Sequence, residues 1–265
     1  MEGTPEAFFL AEGEGFQATP LTRGPWSREH QHGGPPAGLL ARAIEAAAAA
    51  GPPAQVARLT VDFLRPIPIG RVTVATETER AGRSIRLLRA VLSADGTPVA
   101  LARALLIRQA EVALPPLPAR AGAAAGPAES PLLQLPFFVD QVAYHAGVEI
   151  RLAAGRFGSG AVTAWIRMRA PLLPGEPPSP LQRVMVAADS GHGVSVVLDI
   201  RRYSFVNPDV SVHLHRLPAG EWIGLDAVTH PQPSGIGLCD IRLLDQDGPI
   251  GRALQSQVIE ARAGA

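Results

Sequence analysis

The sequence predicts an α+β protein of two similar halves, each a long helix packed on an antiparallel sheet. Three observations predict it: an apolar helical stripe near the N-terminus, a train of strand-like segments after it, and the return of the same order beyond residue 136. A chain of 265 residues suffices for one large domain or two small ones, and its 46% apolar content supplies a core.

The helix enters through His32, Gly33, Gly34, Pro35 and Pro36 and stops at Gly51-Pro52. Proline fits a first helical turn, where its missing N–H would be unpaired anyway, and Gly-Pro is a C-terminal stop. Leu39, Leu40, Ala43, Ile44 and Ala47 recur at helical spacing and give one apolar face. Alternating, β-rich runs follow at 56–64, 71–79, 84–93 and 99–108, punctuated by Gly82 and Asp95-Gly96.

Residues 113–136 are rich in Pro, Ala and Gly and lack periodicity, the composition of an extended linker. They divide the chain into an N-terminal unit, 1–112, and a C-terminal unit, 137–265. In the second unit two β-like runs, 148–153 and 161–169, precede a helix over 179–189, and four more candidate strands lie between 197 and 262.

The halves read as copies of one unit. An offset of 142 takes Pro35-Pro36 to Pro177-Pro178, Leu39 to Leu181 and Phe63-Leu64-Arg65-Pro66 to Phe205-Val206-Asn207-Pro208. Asp95-Gly96 maps onto Asp247-Gly248 at an offset of 152, which predicts a longer hairpin near Leu217-Pro218-Ala219-Gly220.

Composition excludes several chemistries. The 24 basic residues balance 24 acidic ones, against the basic excess of a nucleic-acid binder. All 24 are arginine, so Schiff-base and Walker-type lysines are absent. Cys239 is the single cysteine, which leaves no internal disulfide and no multi-cysteine zinc site. His213 and His215 share a strand face, but spacing marks no third ligand, so no metal and no cofactor is expected. There is no Gly-X-Ser-X-Gly elbow and no dinucleotide fingerprint. The N-terminus lacks signal-peptide grammar and no run approaches a membrane span, so a cytoplasmic protein is expected.

A helix plus antiparallel strands, twice over, resembles the tandem or double hotdog fold. Gly33-Gly34, Phe63-Leu64-Arg65-Pro66 and the stretch from Glu77 to Ser84 resemble the first half of acyl-CoA thioesterase II and the thioesterase-like superfamily around it. The second helix ending in Asp189 and the last strand, from Ala253 to Gln257, resemble its second half. The likeness spans roughly residues 20–262 and implies hydrolysis of acyl-CoA to free acid and coenzyme A.

Residues needed in only one copy separate function from fold. The offsets pair Asp189 with Ala47, Asn207 with Arg65 and Gln257 with Leu105, so the polar set belongs to the second half. Leu181, Val184, Met185 and Ala188 form the helix's apolar stripe; Asp189, one turn beyond Met185, points the same way. A carboxylate there costs free energy unless partnered or kept for chemistry, and an acid in a last turn opposes the helix dipole. Gly191 and Gly193 leave open a plain last-turn residue. The resemblance implies that Asp189 orients and activates the attacking water.

Gln257 reads by itself as a solvent-facing strand residue, whereas the resemblance implies a glutamine beside the aspartate. Asn207-Pro208 is first a turn signal, and Asn207 stands where the family has threonine, an amide in place of a hydroxyl. Gly33 and Gly34 read either as a helix-entry turn or as substrate-binding N–H donors. His32 reads either as a loop histidine or as part of the same pocket.

Two other functions compete with hydrolysis. One is a non-catalytic acyl or small-ligand binding module. The other is a hotdog enoyl-CoA hydratase, but the aspartate that family places two residues before Asn-Pro is Phe205 here. The expected partner is an acyl-CoA, with no nucleic acid and no membrane span. A homodimer or higher homo-oligomer stays open, because a tandem pair already supplies the pairing that single hotdogs obtain by dimerising.

Overall fold

The computed structural model describes residues 4–115 and 125–262. A hairpin, β1 (Phe9–Glu12) and β2 (Gly15–Ala18), precedes α1 (Gly34–Ala49). The first half continues with β3 (Ala54–Phe63), β4 (Arg71–Ala81), β5 (Ile85–Ala94) and β6 (Thr97–Arg108). The second opens with α2 (Tyr144–Gly147), β7 (Val148–Gly155), β8 (Ala161–Met168), α3 (Pro180–Ala188) and α4 (Gly191–Val194). It closes with β9 (Tyr203–Val206), β10 (Asp209–Leu214), β11 (Ile223–Pro231), β12 (Ile236–Asp245) and β13 (Gly248–Ala261). Sequence reasoning missed β1, β2, α2 and α4, all four residues long and too short to show a period, and it expected four strands after residue 197 where there are five, β9 to β13.

The strands form one antiparallel sheet ordered β1-β2-β4-β5-β6-β3-β10-β13-β12-β11-β8-β7, with β9 beside β13. The halves join where β3 pairs with β10, Thr60 opposite Ser211, their hydroxyls 2.8 Å apart. Thr60 faces Arg103 in its own half and Ser211 faces Leu254, both at a separation of 151 residues, so a pseudo-twofold axis runs between Thr60 and Ser211. The 151-residue register holds across the sheet. Ala94 with Thr97 becomes Asp245 with Gly248, and each hairpin carries a bulge just beyond, at Leu92/Ser93 and Leu243/Leu244.

This corrects the registers read from motifs. Pro35 and Pro36 lie inside the first turn of α1, while Pro177 and Pro178 precede the Ser179 cap of α3. Phe63 ends β3, whereas Phe205 lies in β9, ahead of the break at Asn207-Pro208, so the two Phe-X-X-Pro segments are not equivalent. They are neighbours instead, the Phe63 N–H donating to the Pro208 carbonyl at 2.7 Å. Asn207 therefore corresponds to Val56, beside the β3 bulge at Val56/Arg58, and Gln257 corresponds to Leu106. The expected longer hairpin near Leu217 is absent: seven residues separate β3 from β4 and eight separate β10 from β11. The extra residues lie between α3 and β9, where α4 is inserted.

α1 and α3 pack side by side, antiparallel, with Gly34 near Val186 and Glu45 beside Ser179. A Cβ on Gly38 would come within 2.7 Å of Val186 Cγ2, so the contact requires glycine there. Leu39, Leu40 and Ile44 are completely buried, each contributing about 1.5–3 kcal/mol of transfer free energy. Residues 125–136 of the segment read as a linker form no helix or strand but are tied to β7: Leu133 N–H donates to Ile150 and Leu152 N–H to Pro131.

Candidate active site

The antiparallel helix pair sets the C-terminus of α3 against the N-terminus of α1. Asp189 caps α3 and is 2% exposed. Asn207 Nδ2 donates to its Oδ1 at 2.8 Å, and His32 Nδ1 lies 3.0 Å from its Oδ2. A Cβ at Gly33 would come within 2.9 Å of both carboxylate oxygens and 2.6 Å of Phe63 Cζ, so only glycine admits the carboxylate this close. Burial by itself would raise the Asp189 carboxyl, but His32 and the Asn207 amide outweigh it and hold it below the usual carboxylate range. The group is a buried carboxylate that stays ionised.

His32 is held flat. Its ring stacks on Tyr144 at 3.8 Å and 3°, and the Tyr144 hydroxyl bonds the Val186 carbonyl and the Ser190 hydroxyl, each at 2.9 Å. His32 Nδ1 also lies 3.1 Å from the Gly34 N–H. One nitrogen cannot accept from Gly34 and donate to Asp189 at once. The ionised carboxylate thus competes with the Gly34 N–H for this nitrogen. Pro35 and Pro36 have no N–H, so Gly33 and Gly34 are the donors this helix start can offer a ligand.

Around the carboxylate lies a cleft of about 300 Å³. Trp26, Phe63, Phe137 and Phe138 bring a concentration of aromatic rings into a chain that is only 5% aromatic. Arg65 sits at its rim, exposed and without an acidic partner among the described residues.

The structure thus brings Asp189, Asn207, His32, Gly33 and Gly34 together. It does not bring Gln257 to the carboxylate. Gln257 is 3% exposed, against the solvent-facing reading, and lines a small cavity behind His192. Gln255, two residues earlier on the same face of β13, takes the contact with Asp189: its Nε2 donates to the Asp189 carbonyl at 3.0 Å. Its Oε1 accepts from the His192 N–H at 3.0 Å, so one amide clamps the junction of α3 and α4. The period-2 pattern of β13 held the signal for Gln255, since residues 253, 255 and 257 share a face. Nothing local marked His192, Trp26 or Phe137, which reach the cleft from separate parts of the chain.

Comparisons with known proteins agree with this architecture. The family model described as acyl-CoA thioesterase C-terminal domain matches residues 113–259, and that described as acyl-CoA thioesterase N-terminal domain matches residues 22–107. No curated protein matches the chain in sequence. Among solved structures, a candidate thioesterase from Novosphingobium aromaticivorans is similar with a TM-score of 0.74 at 22% identity, covering 95% of this chain and 98% of its own. A hot dog fold protein of unknown function from Alicyclobacillus acidocaldarius has a TM-score of 0.74 at 17% identity, with 96% of each chain covered. Acyl-CoA thioesterase II from Mycobacterium marinum has a TM-score of 0.65 at 18% identity, covering 88% of this chain and 92% of its own. At these identities the likeness establishes the fold, a tandem hotdog.

Proposed function

Because the chain belongs to the acyl-CoA thioesterase family, we propose that it hydrolyses acyl-CoA thioesters through a water activated by Asp189. The observation that carries the reading is the buried, ionised Asp189 carboxylate opening onto an apolar cleft beside the N-terminus of α1. Its oxygens are held by Asn207 and His32, each of which leaves an oxygen a second lone pair for water. The carboxylate takes a proton from that water as its oxygen attacks the thioester carbon. The tetrahedral intermediate then expels the coenzyme A thiolate, which takes up the proton that Asp189 had accepted, restoring the carboxylate. The acyl group lies among the aromatic side chains, and N–H groups of Gly33 and Gly34 face the carbonyl oxygen. Asn207 fills the place of the family threonine as a hydrogen-bond donor to the carboxylate. Arg65 at the rim is suited to a phosphate of coenzyme A.

The test is thiol release from a panel of acetyl-, octanoyl-, palmitoyl- and benzoyl-CoA. Turnover that disappears in Asp189→Asn supports the reading; turnover unchanged in that variant overturns it. Tight acyl-CoA binding without turnover in the wild type establishes the non-catalytic binding module instead.

A further inference from the structure

Two buried polar atoms behind the cleft have no hydrogen-bond partner among the described residues: His192 Nδ1 and Gln257 Nε2. Both side chains are more than nine-tenths buried, at 6% and 3% exposure. Both line one small cavity, bounded also by Phe205 and Thr229, of about 10 Å³. That is the space of about one water molecule. Their chemistry is complementary. An amide Nε2 can only donate, and the Nδ1 of a neutral imidazole can accept. One water accepting from Gln257 and donating to His192 satisfies both, and places the imidazole proton on Nε2.

His192 also lines the main cleft, together with Asp189. Its backbone is fixed by Gln255, and Phe205 meets the ring edge-on with centroids 5.9 Å apart. Burial keeps this imidazole neutral more strongly than the Asp189 charge draws a proton to it.

We propose that His192 is a catalytic residue whose Nε2–H donates to the thioester carbonyl oxygen, and that Gln257 is a positioning residue that sets its tautomer through one bridging water. The proposal rests on the hydrolytic reading above. As water attacks, negative charge develops on the carbonyl oxygen. A neutral N–H donor stabilises it without transferring its proton, and when the C–S bond breaks the oxygen re-forms the carbonyl double bond and the charge leaves on the thiolate sulfur. Gln257, which stands away from the carboxylate, thereby acts on the reaction through His192.

Two measurements test this. Nitrogen-15 NMR of the imidazoles, with His192 assigned by its loss in His192→Gln, should report the Nε2–H tautomer in the wild type at neutral pH. Gln257→Glu, which replaces the donor by acceptors, should shift the population toward Nδ1–H. A wild-type Nδ1–H tautomer, an imidazolium, or a tautomer indifferent to Gln257 overturns the relay. In the thiol-release assay, His192→Phe should lower kcat by about 100-fold with KM nearly unchanged, and Gln257→Leu by about tenfold. His192→Gln, which keeps an N–H donor, should recover part of the loss. Unchanged kcat in His192→Phe overturns its catalytic role. A wild type that hydrolyses no thioester overturns that role together with the hydrolytic reading, while the tautomer experiment still decides the relay.

Discussion

The pseudo-twofold axis gives this protein two clefts in equivalent places, and they have become chemically different. One joins the start of α1 to the end of α3 and holds Asp189. The other joins the start of α3 to the end of α1 and has a volume of about 350 Å³. The sheet register relates them: Val206, Asn207 and Pro66 line the first, and Gln55, Val56 and Leu217 occupy the same positions in the second. Each even contains a carboxylate. In the second cleft Glu45 is half-buried and receives the Ser179 hydroxyl at 2.7 Å and the Gln182 amide at 2.9 Å. Asp189 instead is sealed against a glycine and paired with an imidazole. The architecture supplies a cleft and a place for an acid in each half; burial and the nitrogen partners make the two acids chemically different.

The largest expected break between the clefts comes from removing the two carboxylates in turn. Asp189→Asn should lower kcat/KM for acyl-CoA hydrolysis by about 10²–10⁴-fold, the range of a positioned general base, and Glu45→Gln should leave it within about twofold. Comparable losses in both would make the clefts functionally equivalent.

Next is Asn207→Val, which installs the side chain of the equivalent position, Val56. Removing the amide withdraws a hydrogen bond from the ionised form, so the Asp189 carboxyl should titrate at higher pH than in the wild type. The acid limb of the kcat/KM profile should move upward, with a loss at neutral pH of about tenfold, near the value of one charge-assisted hydrogen bond. An unmoved acid limb would separate Asn207 from the carboxylate.

Gly33→Ala should act on stability as well as turnover. Its Cβ meets Phe63 and both Asp189 oxygens, and such overpacking costs about 1–3 kcal/mol, read as a lower Tm by calorimetry. A variant as stable and active as the wild type would show that the carboxylate need not approach the helix start.

The smallest effect is on acid stability. Because the Asp189 carboxyl is held below its ordinary value, its ionised form contributes stability that is present above the unfolded value, near pH 4, and lost as pH falls through the folded value. The wild-type Tm should therefore fall more steeply below pH 4 than that of Asp189→Asn.

The two helix-and-sheet repeats, their order of elements and the burial of Asp189 were legible in the sequence because each rests on local periodicity. The α3 stripe of Leu181, Val184, Met185 and Ala188 aims Asp189 inward whatever lies beyond it. The pairing of positions between halves was not legible. Prolines and Phe-X-X-Pro segments recur for local reasons of helix entry and strand ending, and they misplaced Asn207 opposite Arg65 instead of Val56. Gln255 and Gln257 both face the core, and the sequence does not tell which meets the end of α3, since a strand's period tells which side a residue faces and not how far along the sheet a helix end will sit.

The sequence by itself determined that this chain builds helix-and-sheet units twice, that it has no lysine chemistry, and that its second helix ends in an inward-pointing acid. Only the tertiary structure decided the partners of that acid. His32 and Asn207 lie 157 residues before it and 18 after it, and they meet Asp189 because α1 and α3 pack antiparallel across a pseudo-twofold axis. Periodicity acts over a few residues, whereas the axis that assembles the cleft is a property of two half-sheets made continuous at β3 and β10.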